Sequence, residues 1–241
     1  GLNNVLIGYA AGDAFDSESD IIAIGVNAAG GTLNGANRIV AIGSQAMTGA
    51  ATQGGTVAIG YEALKLITSG AQNVAIGYQA MAAADGGEGS NTAVGHQALL
   101  NLDSDGADEN TCIGNIAGTA LTTGTNNTLI GSEAAASSVG ADGQIVIGKS
   151  AVGHGDNIVV LGNTSCTAWH PADDNGVDLG ASNYRFANLY VGDVQMSNEG
   201  SGGNEVDGTE GKWTIQEGED DLYLLNRKNG KKYKFKLEEI L

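Results

Sequence analysis

The sequence predicts an all-β fold: a parallel β-roll of about ten short turns, followed by a small antiparallel β cap. Three observations predict it. A strand-plus-glycine pattern, written QNVAIGYQAM at Gln72–Met81, recurs along two-thirds of the chain. Its glycines are Gly8, Gly25, Gly43, Gly60, Gly77, Gly95, Gly114, Gly131, Gly148 and Gly162, at steps of 17, 18, 17, 17, 18, 19, 17, 17 and 14 residues. The composition also suits stacked small units better than one large core, with 39 glycines, 1 proline and only 5% aromatics. Finally, the period stops near residue 166, and further on the charge balance changes as well. Up to Glu210 there are 4 basic and 22 acidic residues, and from Gly211 onward 7 and 6.

The same numbers exclude several classes. Collagen is excluded because the glycines do not fall every third residue. Disorder conflicts with 41% hydrophobic residues arranged periodically. A net charge of -17 argues against a nucleic-acid backbone or an anionic membrane as the main partner. No apolar run approaches the length of a membrane-spanning helix, and no signal peptide is visible. The chain opens on Gly1-Leu2 without Met and is read as a fragment or a processed polypeptide.

Aligning the repeats on the glycine gives each position a task. The residue before it is Ile7, Ile24, Ile42, Ile59, Ile76, Val94, Ile113, Ile130, Ile147 or Leu161. Three before it, every residue is β-branched, from Val5 and Ile22 to Ile145 and Val159. Residues two apart share a strand face, so these two columns form one ridge, assigned to the roll interior. The column between them, including Ala23, Ala41, Ala58, Ala75, Ala93 and Cys112, should then face outward. Being small and uncharged, it is expected to press on another copy of the chain around a shared axis.

A second short strand is expected after the glycine, beginning at Ala11, Ala28, Ala46, Ala63 and their equivalents. Glycine itself fits a sharp corner where a side chain would clash or φ is positive. Asparagines recur four before it, at Asn4, Asn73, Asn91, Asn110 and Asn127, where stacked side-chain amides can ladder between turns. The acid-rich loops, such as Asp13–Asp20 and Asp103–Glu109, should lie on the outer surface. Ten turns at about 4.8 Å each would make a rod on the order of 48 Å long.

The NNVAIGYQA-type repeat, from about Asn3 to Cys166, resembles the head domain of trimeric autotransporter adhesins and the similar repeats of phage tail fibres. That resemblance implies a left-handed parallel β-roll in a homotrimer. The domain organisation expected is a roll over 1–166, a transition segment over 167–211 and a β-hairpin cap over 212–241. In the transition, Asp178-Leu179-Gly180 leads to Arg185-Phe186-Ala187-Asn188-Leu189-Tyr190. This resembles a segment near the C-terminal ends of phage tail fibres and favours a fibre over a cell-anchored adhesin. Asn198–Gly211 reads as a loop, Trp213–Gln216 as a strand, and Leu222–Asn226 and Tyr233–Leu237 as a hairpin about Asn229-Gly230. The cap is expected to interleave among three chains and to cover the open end of the roll.

The candidate sites are few. Asp103, Asp105 and Asp108 cluster as a Ca²⁺ site would, without matching the EF-hand pattern; a solvated acidic loop is the other reading. The Glu217–Asp221 run has the same two readings. Cys112 and Cys166 lie about three turns apart, too far for an intrachain disulfide, and read as small buried residues. Cys166 near an axis could cross-link chains. His96, His154 and His170 show no metal-ligand spacing. Thr92, Thr111 and Thr128 interrupt the Val/Ile column. Their hydroxyls need partners if internal, or the column is exposed there.

No catalytic, cofactor-binding or phosphate-loop motif is present, so the chain is expected not to be an enzyme. The expected function is a structural tail-fibre protein of the virion, a trimeric rod for host attachment. Its partners would be its own copies, other tail proteins, and a host surface glycan or outer-membrane protein. The alternatives are a cell-surface trimeric adhesin head and, less favoured, a glycan-degrading fibre. A chain ending at Leu241 on a lysine-rich hairpin argues against an adhesin's membrane anchor.

Overall fold

The computed structural model of the chain describes residues 1–172, 177–199 and 202–236. These form two compact units, Gly1–Thr167 and Ala168–Leu241. Every named element is a β-strand.

The first unit is a parallel β-solenoid. Its strands are β1 (Val5–Ile7), β2 (Ile21–Ile24), β3 (Ile39–Ile42), β4 (Val57–Ile59), β5 (Val74–Ile76), β6 (Thr92–Val94), β7 (Thr111–Ile113), β8 (Thr128–Ile130), β9 (Ile145–Ile147) and β10 (Val159–Leu161). They stack in chain order as one ten-stranded sheet. Pairing is in register with the repeat, so like sits on like: Val57 on Val74, Ala58 on Ala75, Ile59 on Ile76.

The facing of the strand residues is opposite to the sequence expectation. Ala23, Ala41, Ala58, Ala75, Ala93 and Cys112 are all inaccessible within the single chain. They point into the roll and cannot line an axis between chains. The Val/Ile columns on either side point outward. The reason is the width of the coil. A turn of 17 or 18 residues encloses a thin interior, and the side chains buried there just after the glycine corner include Ala46, Met47, Ala63, Leu64, Ala80, Met81, Ala98 and Leu99. Alanine opposite Met or Leu fills that space; two columns of β-branched residues would overfill it.

No second strand follows the glycine. The chain instead turns, with left-handed backbone at the second residue after it (Gln45 φ 60°, Glu62 φ 56°, Gln79 φ 52°, Gln97 φ 54°). The fourth residue is left-handed as well in the central turns (Met47 φ 53°, Leu64 φ 48°, Met81 φ 50°). These reversals rotate the peptide groups so that bonding between turns continues in both directions. Gln79 N–H donates to Tyr61 O of the preceding turn (2.8 Å), while Met81 N–H donates to Ala98 O of the following one (3.0 Å).

The residue four before the glycine shares the inward face with the alanine column. Here the asparagine ladder forms as the sequence suggests. Asn91 N–H donates to Asn73 Oδ1 (3.0 Å), Asn110 N–H to Asn91 Oδ1 (2.9 Å) and Asn127 N–H to Asn110 Oδ1 (3.1 Å). Each Nδ2 also donates to a loop carbonyl, for example Asn110 to Gly124 O (2.8 Å) and Asn127 to Ala141 O (2.7 Å). Buried amides are thus satisfied on both sides. Asn110→Ala orphans the N–H of Asn127 and a loop carbonyl, and is expected to cost about 2–4 kcal/mol in urea unfolding. In the same column Thr56 Oγ1 is buried without a hydrogen-bond partner among the described residues. Thr56→Val should leave stability unchanged or raise it by about 1 kcal/mol in the same assay.

The second unit carries a four-stranded antiparallel sheet, β11 (Asp193–Ser197), β12 (Lys212–Glu217), β13 (Leu222–Asn226) and β14 (Lys232–Lys234), in that order. The Asn229-Gly230 hairpin is present, with Gly230 N–H donating to Asn226 O (2.9 Å). β11 was not legible in the sequence, and it joins the transition segment to the cap in one sheet. Leu237, expected at the end of the last strand, lies outside the described residues.

Candidate interaction surfaces

The outward face of the ten-stranded sheet is a continuous surface of the roll. Val5, Ile7, Ile22, Ile113, Ile145, Ile147 and Val159 are exposed, and the equivalent residues of the central turns are half-buried. Thr92, Thr111 and Thr128 pair in succession on this same face. Their hydroxyls therefore point outward and need no partner inside the roll.

The first residue after the glycine continues the face into the corner. Tyr61, Tyr78 and His96 stack there, with ring centroids 5.3 and 5.1 Å apart and interplanar angles of 17° and 8°. Stacking covers the inner ring faces and leaves the edges open. Beside them runs a polar ladder: Gln97 Nε2 donates to Gln79 Oε1 (3.0 Å), Gln79 Nε2 to Glu62 Oε2 (2.7 Å), and Lys65 pairs with Glu62 (2.6 Å). Lys65 and Gln79 hold the Glu62 carboxyl below its usual range.

The acidic loops are ordered by their own backbone. Buried Glu18 accepts Gly35 N–H (3.0 Å) and the amides of Asp16 and Ser17, which lower its pKa. Four repeats on, buried Glu88 accepts Gly86 N–H (3.0 Å) and Ser104 N–H (2.8 Å). There desolvation outweighs the amides and pushes the carboxyl up. The sequence-predicted acids divide. Asp103 lies with Asp85 and Glu88, one oxygen from each within 4.8 Å of the others. Asp105 and Asp108 each accept a backbone amide, from Gly87 and Gly89 (both 2.6 Å). The donor chemistry of Asp85, Glu88 and Asp103 suits a hard cation, but three carboxylates fall short of the six to eight oxygens Ca²⁺ takes.

Asp103 hydrogen-bonds Asp85 and repels its charge, so the Asp85 carboxyl keeps its proton to higher pH than an ordinary aspartate. The folded roll then binds this proton more tightly than the unfolded chain does. Acidification favours the folded state, beginning at the raised value and complete below the ordinary one. Asp103→Asn removes the repulsion. It is expected to be more stable than the parent at neutral pH in urea titrations, with the gap closing as pH falls through the carboxylate range.

Neither cysteine is in a disulfide; Cys112 is buried and Cys166 exposed. Burial pushes the Cys112 thiol up to about 12, so it is unreactive packing. Exposure of Cys166 departs from the expectation that both are buried. His154 and His170 are exposed as well. No described helix is long and apolar enough to cross a membrane. Comparison with protein-family models, with curated proteins and with solved structures found no match.

Proposed function

We propose that the chain is a structural fibre protein of a phage tail, self-associating as a homotrimer and serving host attachment. The observation that carries this reading is the in-register Val/Ile face of the solenoid. A parallel sheet normally has both faces covered, and here alanine, methionine and leucine cover only one. A second copy of the same face supplies a matching surface at every turn. The number three and the tail-fibre assignment rest on the resemblance of the repeat and of the Asp178–Tyr190 segment. Display on a multivalent scaffold then converts weak surface contacts into firm attachment.

The test is the mass of the full chain in native buffer. A trimer is expected for the parent, and a monomer would overturn the reading. Ile76→Glu places a charge on the outward face at mid-sheet. It should yield a monomer whose far-ultraviolet circular dichroism matches that of the parent.

A further inference from the structure

The C-terminal unit holds a cleft unlike any other described surface of the chain. Pairing of β11 to β12 to β13 sets Met196, Trp213 and Asn226 side by side on one sheet face. Asn198, Asn204, Asp207, Thr209, Glu210 and Gly211 wall that row and bound a cleft of about 500 Å³. On the far side of Trp213, Leu224, Tyr233, Phe235 and Lys234, which pairs with Asp221 (2.7 Å), line a mostly apolar groove of about 330 Å³. Trp213 and Tyr233 lie with ring centroids 5.9 Å apart at 40°. Trp213 thus separates an aromatic floor from a polar pocket.

The polar wall is preorganised. Asn204 Oδ1 accepts the amides of Val206 (2.8 Å) and Asp207 (3.0 Å), and Asn204 Nδ2 donates to Thr209 O (2.8 Å). Asp207 Oδ1 accepts both the hydroxyl (2.7 Å) and the amide (3.0 Å) of Thr209. Those bonds, and a third from Asn204 Nδ2 (2.7 Å), all fall on Oδ1 and lower the pKa of the Asp207 carboxyl; none of them engages Oδ2. Lys228, the one cation lining the cleft among the described residues, donates to Glu210 O (3.0 Å) and lies 4.0 and 3.9 Å from the carboxylates of Glu199 and Glu210. With that cation so neutralised, and with Asp207 and Glu210 beside it, the cleft disfavours an anion.

We propose that this cleft binds a neutral saccharide. A pyranose has a flat carbon-bound face and a rim of hydroxyls that donate and accept. The first matches the Trp213 ring that lines the cleft, and the second matches the Asp207 carboxylate and the Asn226 carboxamide at its edge. A second copy of the sheet face is a poorer occupant, because it would desolvate Asp207 and Asn226 against apolar atoms. The proposal rests on the attachment reading and assigns its recognition step to a place.

The test uses the full chain carrying Trp169→Phe, which leaves Trp213 as the sole tryptophan. Its fluorescence is titrated with free glucose, galactose, rhamnose and N-acetylglucosamine to millimolar concentration. A saturable change with at least one sugar is expected. Asp207→Asn keeps an acceptor for Thr209 and replaces the open oxygen with a donor, and should weaken that binding about tenfold. No saturable change with any of the four, or a change indifferent to Asp207→Asn, overturns the site. Emission that instead follows protein concentration assigns the face to a second copy and also overturns it. Native mass is read on the same samples. A trimer that binds no sugar sinks the site alone, and a monomer that binds sugar sinks the trimeric fibre alone.

Discussion

Gly77→Ala is expected to unfold the central turns of the roll, at a cost above about 4 kcal/mol. Two effects add. Gly77 has φ +140°, a region that side-chain-bearing residues rarely enter. An added Cβ would also meet backbone of the next turn, the Gly95 carbonyl oxygen first. Backbone cannot swing aside as a side chain can, and Gly95 is itself stacked on Gly114 in the same way. Relief would require separating adjacent turns, and in a solenoid the loss of one interface weakens both neighbours. Gly106→Ala separates the two effects. Its φ is +88°, but nothing lies within 4 Å of the added carbon. That variant should lose only about 1–2 kcal/mol. Urea unfolding of the two proteins side by side checks the prediction; equal losses would remove the stacking argument.

The repeat, the strand positions and the glycine corners were legible because each is a periodic signal. A glycine every 17 or 18 residues has few structural explanations, and β-branched residues three before it mark the strand. Hydrophobicity alone points to the wrong face, because the interior is too thin for two columns of β-branched residues. A better signal was present. Asn73, Asn91, Asn110 and Asn127 share strand parity with the alanines, and a buried amide ladder belongs on the inner face with them. The left-handed residues after the corner left no trace, since Gln, Glu, Met and Leu have no preference for that backbone. The acidic cluster was partly legible. Asp103 was found, but Asp85 and Glu88 come from the preceding turn, so only the stacking register could bring them to it. β11 was missed because Asp193–Ser197, with only two apolar residues, is short and polar.

The inward facing of the alanines makes a sharp contrast between adjacent residues. Ala75→Glu is expected to abolish folding of the roll. Ala75 is inaccessible and pairs in register with Ala58 and Ala93, which are equally buried. A glutamate there must bury a longer side chain in a filled interior and leave its carboxylate without a partner. Either effect costs several kcal/mol, and the group would have to take up a proton or open the turn to reach water. Ile76→Glu, one residue later, sends the same carboxylate to the outward face, where water reaches it. The outcomes should therefore separate cleanly: Ala75→Glu loses the β-sheet signal in circular dichroism, while Ile76→Glu keeps it and loses mass in sedimentation. Were the Val/Ile ridge internal, the two phenotypes would exchange. A folded monomeric Ala75→Glu beside an unfolded Ile76→Glu would return the alanines to an axis between chains.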